Sequence, residues 1–258
     1  MDKKRAVRRP GPVRFVVLAS LVLAALGWAG VAAAQASPTD RQTASLTFST
    51  VKPGAPTGSR FDVVWRNPDQ PNNPDAKPPS VQTLVVSYAP GTIIDTSAVP
   101  QCTASDAELM LFGAGACPAA SQIAAGQFLT DQGSPSPFPR FITYSAWLFN
   151  NAGEQIGFSQ STDPPMNPPV RNTSRGKIEG ATITTVLPTF PSGGPPDNPY
   201  TALKTMDISG GPIAHGHSAY LRTPPSCPAS GYWTNATTFV YHDGVSQTVE
   251  THSPCHPR

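Results

Sequence analysis

Proline constrains this chain more than any other residue type. Sixteen of its 31 prolines fall in four clusters: PDQPNNPDAKPP at 68–79, GSPSPFP at 133–139, DPPMNPP at 163–169 and FPSGGPPDNP at 190–199. Proline lacks the backbone donor and holds φ in a narrow range, so neither a helix nor an interior strand passes through such a cluster. The runs between clusters are short and apolar, whereas a disordered chain would spread its prolines evenly. The pattern predicts many short strands joined by rigid loops.

The runs themselves support strands. TASLTFST (43–50) alternates apolar and polar side chains, as a strand with one buried face does, and SRFDVVWRN sets Phe61, Val63 and Trp65 on one face. TLVVSYA, ASQIAAGQFLTD and ALKTMDIS read as further strands. FITYSAWLFN is apolar on both faces, which predicts a central position. NNAGE turns the chain back into QIGFSQS, a hairpin signal. GKIEGATITTVLP reads as one strand with a bulge at Gly180. TTFVY and VSQTVET flank Asp243-Gly244, which predicts a two-residue hairpin placing Phe239 opposite Thr248 and Tyr241 opposite Ser246. Roughly ten strands predict an all-β fold, an antiparallel β-sandwich of immunoglobulin-like or jelly-roll-like form. The single credible helix is SDAELMLFG, between Cys102 and Cys117. Ser105 and Glu108 have capping-box spacing, and Gly113 suits a left-handed exit. One domain is expected over residues 37–258, with the loop at 131–139 as the candidate internal boundary.

The first 36 residues read differently. MDKKRAVRRPGPVR is basic, FVVLASLVLAALGWAGV is apolar, and the small-x-small pattern Ala34-Gln35-Ala36 follows. This order predicts a secretory signal peptide over residues 1–36. The alternative is an uncleaved anchor, because Phe15 to Ala34 reaches the ~20 residues needed to span a bilayer. Both readings place the rest of the chain outside the cytoplasm, in the medium or the cell envelope. Beyond residue 36 there are 12 basic and 15 acidic residues, a net charge of about −3. That balance offers no basic surface for nucleic acid.

All four cysteines, Cys102, Cys117, Cys227 and Cys255, follow the leader. An even count in an exported chain reads as two disulfides. Three connectivities are possible, and the local pairing of Cys102 with Cys117 and Cys227 with Cys255 is favoured. Zinc would call for short paired spacings such as CxxC, and none occurs. Two long segments, APGTIIDTSAVPQCTASDAELMLFGAGACPAASQIAAG and YLRTPPSCPASGYWTNATTFVYHDGVSQTVETHSPC, carry a likeness. The first holds a Cys–capped helix–Cys-Pro unit, and the second holds CPASG, a DGV hairpin and Ser-Pro-Cys. Together they make up about half of the chain after the leader. In these features the chain resembles a family of secreted actinobacterial proteins of unknown function. The resemblance implies an exported β-rich domain and supports the local disulfide pairing, and it implies no particular activity or ligand.

Several residues are candidates for chemistry. His215 and His217, in GPIAHGHSAY, are two apart, so on a strand both reach one face and could share a divalent metal. A third ligand would have to come from His242, Asp243, His252 or His256. Gly216-His217-Ser218-Ala219-Tyr220 departs from a nucleophile elbow because Tyr220 replaces the closing glycine. Asn67, Asp69, Asn73 and Asp75 offer oxygens for calcium without the spacing or glycine of an EF-hand. Glu154, Glu179 and Asp207 are acids with no evident pairing. Trp233 and Tyr241 share one face of the last hairpin and form the best pair for stacking on a sugar. No nucleophile or cofactor loop is complete, so the expected function is a structural or binding protein rather than an enzyme. Its expected partner is a cell-surface polysaccharide or protein, with metal binding through His215 and His217 as the alternative.

Overall fold

The computed structural model describes residues 40–190, 192–216 and 218–256. The expected leader lies outside the described residues. The chain forms β1 (Gln42–Phe48), β2 (Ser59–Trp65), β3 (Val81–Ser87), the short β4 (Ile93–Ile94) and helix α1 (Asp106–Phe112). There follow β5 (Gln122–Asp131), β6 (Phe141–Asn151), β7 (Glu154–Asp163), β8 (Arg171–Glu179), β9 (Thr182–Val186) and β10 (Ala202–Gly210). Three two-residue strands come next: β11 (Ala214–His215), β12 (Ser218–Ala219) and β13 (Leu221–Arg222). The long hairpin of β14 (Tyr232–Tyr241) and β15 (Ser246–Pro254) ends the fold.

Eleven strands make one sheet in the order β1-β2-β10-β5-β6-β7-β8-β9-β3-β14-β15, with every neighbouring pair antiparallel. The all-β antiparallel expectation therefore holds, and the two facing layers of the sandwich are halves of a single curled sheet. Its end strands meet at a seam closed by side chains. Gln247 Oε1 accepts from Arg41 N (3.0 Å), Thr251 Oγ1 from Leu46 N (3.3 Å) and Ser253 Oγ from Phe48 N (3.0 Å). Asn235 Nδ2 adds donations to Leu46 O and Ser253 Oγ, both at 3.0 Å, while its Oδ1 accepts from Ala89 N. The seam leaves β1 few free amides to template another strand, which an exposed sheet edge would do.

Register sorts the connections to two ends. Loops 66–80, 132–140, 164–170 and 187–201 all leave from one end, as the pairs Ala202↔Asp131, Asp131↔Phe141, Thr143↔Asp163 and Tyr241↔Val81 require. The four proline clusters thus gather on a single rim. Three of them also bond to one another: Gly193 N donates to Gln132 O at 2.9 Å, and Lys77 Nζ donates to Ser192 Oγ and Gly193 O at 3.1 Å. Burial drives the Lys77 pKa down, with Asp197 opposing that shift. Loop 132–140 joins the neighbouring strands β5 and β6 inside the sheet.

The opposite end carries both disulfides, Cys102–Cys117 with Cα atoms 5.0 Å apart and Cys227–Cys255 at 5.6 Å. It is plugged by Phe48, Ile123, Tyr220, Leu221 and Trp233. The Cys102–Cys117 segment folds over the outer face of β6 and β7, where Leu109 packs with Phe149, Ile156 and Phe158. The predicted capping box is present: Ser105 N donates to Glu108 Oε2 (2.8 Å) and Glu108 N to Ser105 Oγ (3.3 Å). At the other end of α1, Arg171 Nη1 donates to the carbonyls of Met110 (2.7 Å) and Leu111 (2.8 Å), which the helix leaves unbonded.

Two turns differ from expectation. Gly180, at φ +63°, is a turn residue between β8 and β9, with Glu179 facing Thr182, so GKIEGATITTV is a hairpin rather than a bulged strand. In the last hairpin Phe239 faces Gln247 and Tyr241 N donates to Val245 O, one residue off the predicted register. Three residues form that loop because Gly244 (φ +82°) takes the left-handed place that closes a three-residue turn.

Candidate functional site

A cavity of about 230 Å³ lies within the curled sheet. Side chains on a strand alternate in direction, so each strand presents every second residue to this interior. On one side the residues are large and apolar: Leu46, Phe61, Val86, Leu203, Met206 and Ile208. On the other, β6 to β8 present Ala146, Gly157, Ser159, Asn172, Ser174 and Gly176. The cavity exists because these inward positions are small. A Cβ at Gly157 would stand 2.4 Å from Ser174 Oγ, and one at Gly176 would stand 2.7 Å from Thr185 Oγ1. No Asp, Glu, Lys, Arg or His is among the described residues lining the space.

Its polar groups form two sets. Toward the disulfide-bonded end, Tyr88 Oη lies 3.0 Å from Ser59 Oγ, and Tyr220 lies close enough to Tyr88 that charge on one hydroxyl would disfavour charge on the other. Burial pushes the pKa of both hydroxyls up, Tyr220 most strongly, so they remain neutral. On the small-residue wall, Asn172 Nδ2 donates to Ser159 Oγ at 3.4 Å. Burial likewise raises the Tyr144 hydroxyl, and a hydrogen bond with Asn172 partly offsets that rise. Of the fully buried polar atoms on the lining, two lack a partner among the described residues: the Tyr220 hydroxyl and Asn172 Oδ1. Both residues are only 8 % exposed. A buried polar atom left unbonded costs about 1–3 kcal/mol, so each favours an occupant that bonds it.

The residues singled out in the sequence lie elsewhere. Trp233 is 1 % and Tyr241 0 % exposed, which removes the sugar-stacking surface expected of them. Trp233 packs edge-on against Phe48 and donates from Nε1 to Ser226 O (2.9 Å), while Tyr241 lies under the Arg41 guanidinium and donates to Gln42 Oε1. Their shared face points inward, where Trp233 packs with Phe48 and Tyr241 with Trp65 and Phe239. His217 lies outside the described residues; the backbone of His215 pairs with Ser218 in a two-strand ladder, which makes Ser218 a strand residue rather than a nucleophile elbow.

Three possible companions of the histidine pair have contacts of their own, Asp243 in an ion pair with Arg41. His242 stacks on Tyr200 at 3.8 Å between ring centroids, at the proline rim, and His252 lies against Tyr232 at 4.2 Å. Among the described residues no three His, Cys, Asp or Glu side chains converge. In the loop suggested for calcium, Asn67 Oδ1 and Asn73 Oδ1 accept from the amides of Asp69 and Asp75 instead. Glu154, Glu179 and Asp207 pair with Arg175, Lys177 and Arg60 respectively.

The cavity was not among the sites expected from the sequence. Its trace was present in QIGFSQS and RNTSRGK, whose inward residues Gln155, Gly157 and Ser159, and Asn172, Ser174 and Gly176, are small or polar where a packed core would place Leu or Val. No protein-family model matches the chain, and no curated protein does either.

Proposed function

We propose that this is an exported binding protein of the envelope or medium, and that it holds a small molecule inside the curled sheet. The observation that carries this reading is the uncharged, largely apolar cavity between β1–β2–β10 and β6–β7–β8. Its volume falls just below the ~300–1,000 Å³ usual for small-molecule sites, so the occupant is compact. Export is supported by the basic–apolar–AQA order of the leader and by two disulfides, which persist in oxidising surroundings. Those disulfides and the side-chain seam suit a container that keeps its shape when empty. Among the described residues no helix is long and apolar enough to cross a membrane.

The uncharged fluorescent probe N-phenyl-1-naphthylamine tests the reading. The protein should enhance its emission saturably, with one site per chain. Ala146→Phe and Ser174→Leu each fill the cavity and should abolish the signal while circular dichroism stays native. A wild-type protein that gives no enhancement, or two folded variants that still bind, would refute the assignment.

A further inference from the structure

The chemistry of the cavity also selects its ligand, an inference that rests on reading the interior as the binding site. We infer that the ligand is an uncharged, mainly apolar molecule bearing hydroxyl-type polarity, which accepts from the Tyr220 hydroxyl and donates to Asn172 Oδ1. Three observations converge. The described lining holds no charged side chain, so a carboxylate, phosphate or ammonium would enter without a counter-charge. Burying an unpaired ion costs far more than burying a neutral group. The apolar wall of Leu46, Phe61, Val86, Leu203, Met206 and Ile208 contributes by removing hydrocarbon from water.

The unspent hydrogen bonds of the lining point the same way. Ser59 already partners Tyr88, and Ser159 already partners Asn172 Nδ2. Among the fully buried polar atoms of the lining, the Tyr220 hydroxyl and the Asn172 acceptor remain. A pure hydrocarbon would leave both unbonded. A molecule with a hydroxyl satisfies one of them, and a molecule with a carbonyl and a hydroxyl at separate positions satisfies both, without bringing in charge. Recognition by unpartnered polar groups in an apolar site discriminates strongly, because the wrong ligand leaves those groups desolvated.

The test is competition against the naphthylamine probe by three compounds of matched chain length: 1-octanol, octanoate at pH 8 and octane. 1-Octanol should displace the probe, and octanoate should be at least ~100-fold weaker. Octanoate should recover as the pH falls through the carboxylate range, because the protonated acid is neutral. At least one of Tyr220→Phe and Asn172→Leu should weaken 1-octanol, whose single hydroxyl meets one of these groups, about fivefold, the worth of one hydrogen bond, and leave octane unchanged. Octanoate binding as tightly as 1-octanol at pH 8 would overturn the inference while leaving the cavity in use, and so would variants that weaken octane and 1-octanol alike. If the probe itself does not bind, the cavity reading fails first and this one with it.

Discussion

Asn235 shows how a single polar side chain can hold this fold shut. It is fully buried, and its amide spans three segments far apart in sequence: Leu46 on β1, Ser253 on β15 and Ala89 after β3. Asn235→Ala would remove all three bonds and leave the Ala89 amide short of a partner inside the protein, while the Leu46 carbonyl would keep only Thr251 Oγ1. The loss should be about 3 kcal/mol, two or three times the worth of one ordinary bond, read as a lower urea midpoint. At this scale the sequence was least legible. Asn235, Thr251 and Ser253 lie at inward positions of an alternating pattern, where they look like breaks in an apolar face. Their partners on β1 stand some 200 positions away, and no local pattern points to them. Trp233 and Tyr241 misled in the opposite sense, because period two gives a shared face without saying whether that face looks inward.

At the scale of elements, the strands were legible because each carries its own alternation, and helix α1 was legible because its capping box is local. Turns were read less well. Gly180 and Gly244 marked places where φ must be positive, yet the same glycine fits a bulge, a two-residue turn or a three-residue turn until both flanking strands are paired. The α1 segment is an appendage with its own small core, attached by Cys102–Cys117, by Leu109 and by Arg171. Replacing both cysteines of that pair with Ala should cost about 3 kcal/mol in the chain-entropy model. The effect should be local: hydrogen exchange should speed up at residues 103–116 while amides of β6 and β7 stay protected. Equal loss of protection across the sheet would show that the segment is integral to the fold.

For the molecule as a whole, the proline clusters mattered more than their local role as breakers suggested. All four lie on one rim, three of them interlocked through Gln132, Gly193 and Lys77, while both disulfides secure the other end. Between two fixed ends the sheet curls around an interior that its small residues on β6–β8 leave unfilled. Closure, and therefore the cavity, depends on how eleven strands are ordered, which is why the site was the part of the protein least visible in sequence.

Methionine supplies an internal control for the central claim. Met206 lines the cavity, whereas Met110 lies on the exposed side of α1 beside Leu111 and Phe112, the largest apolar tip on the surface of that helix. The most direct measurement is therefore a methyl-methionine carbon–proton NMR titration with 1-octanol. The structure predicts that the Met206 methyl shifts saturably and that Met110 does not move. Movement of Met110 with a stationary Met206 would place binding on the outer helix and contradict the account, as would a spectrum in which neither methyl responds.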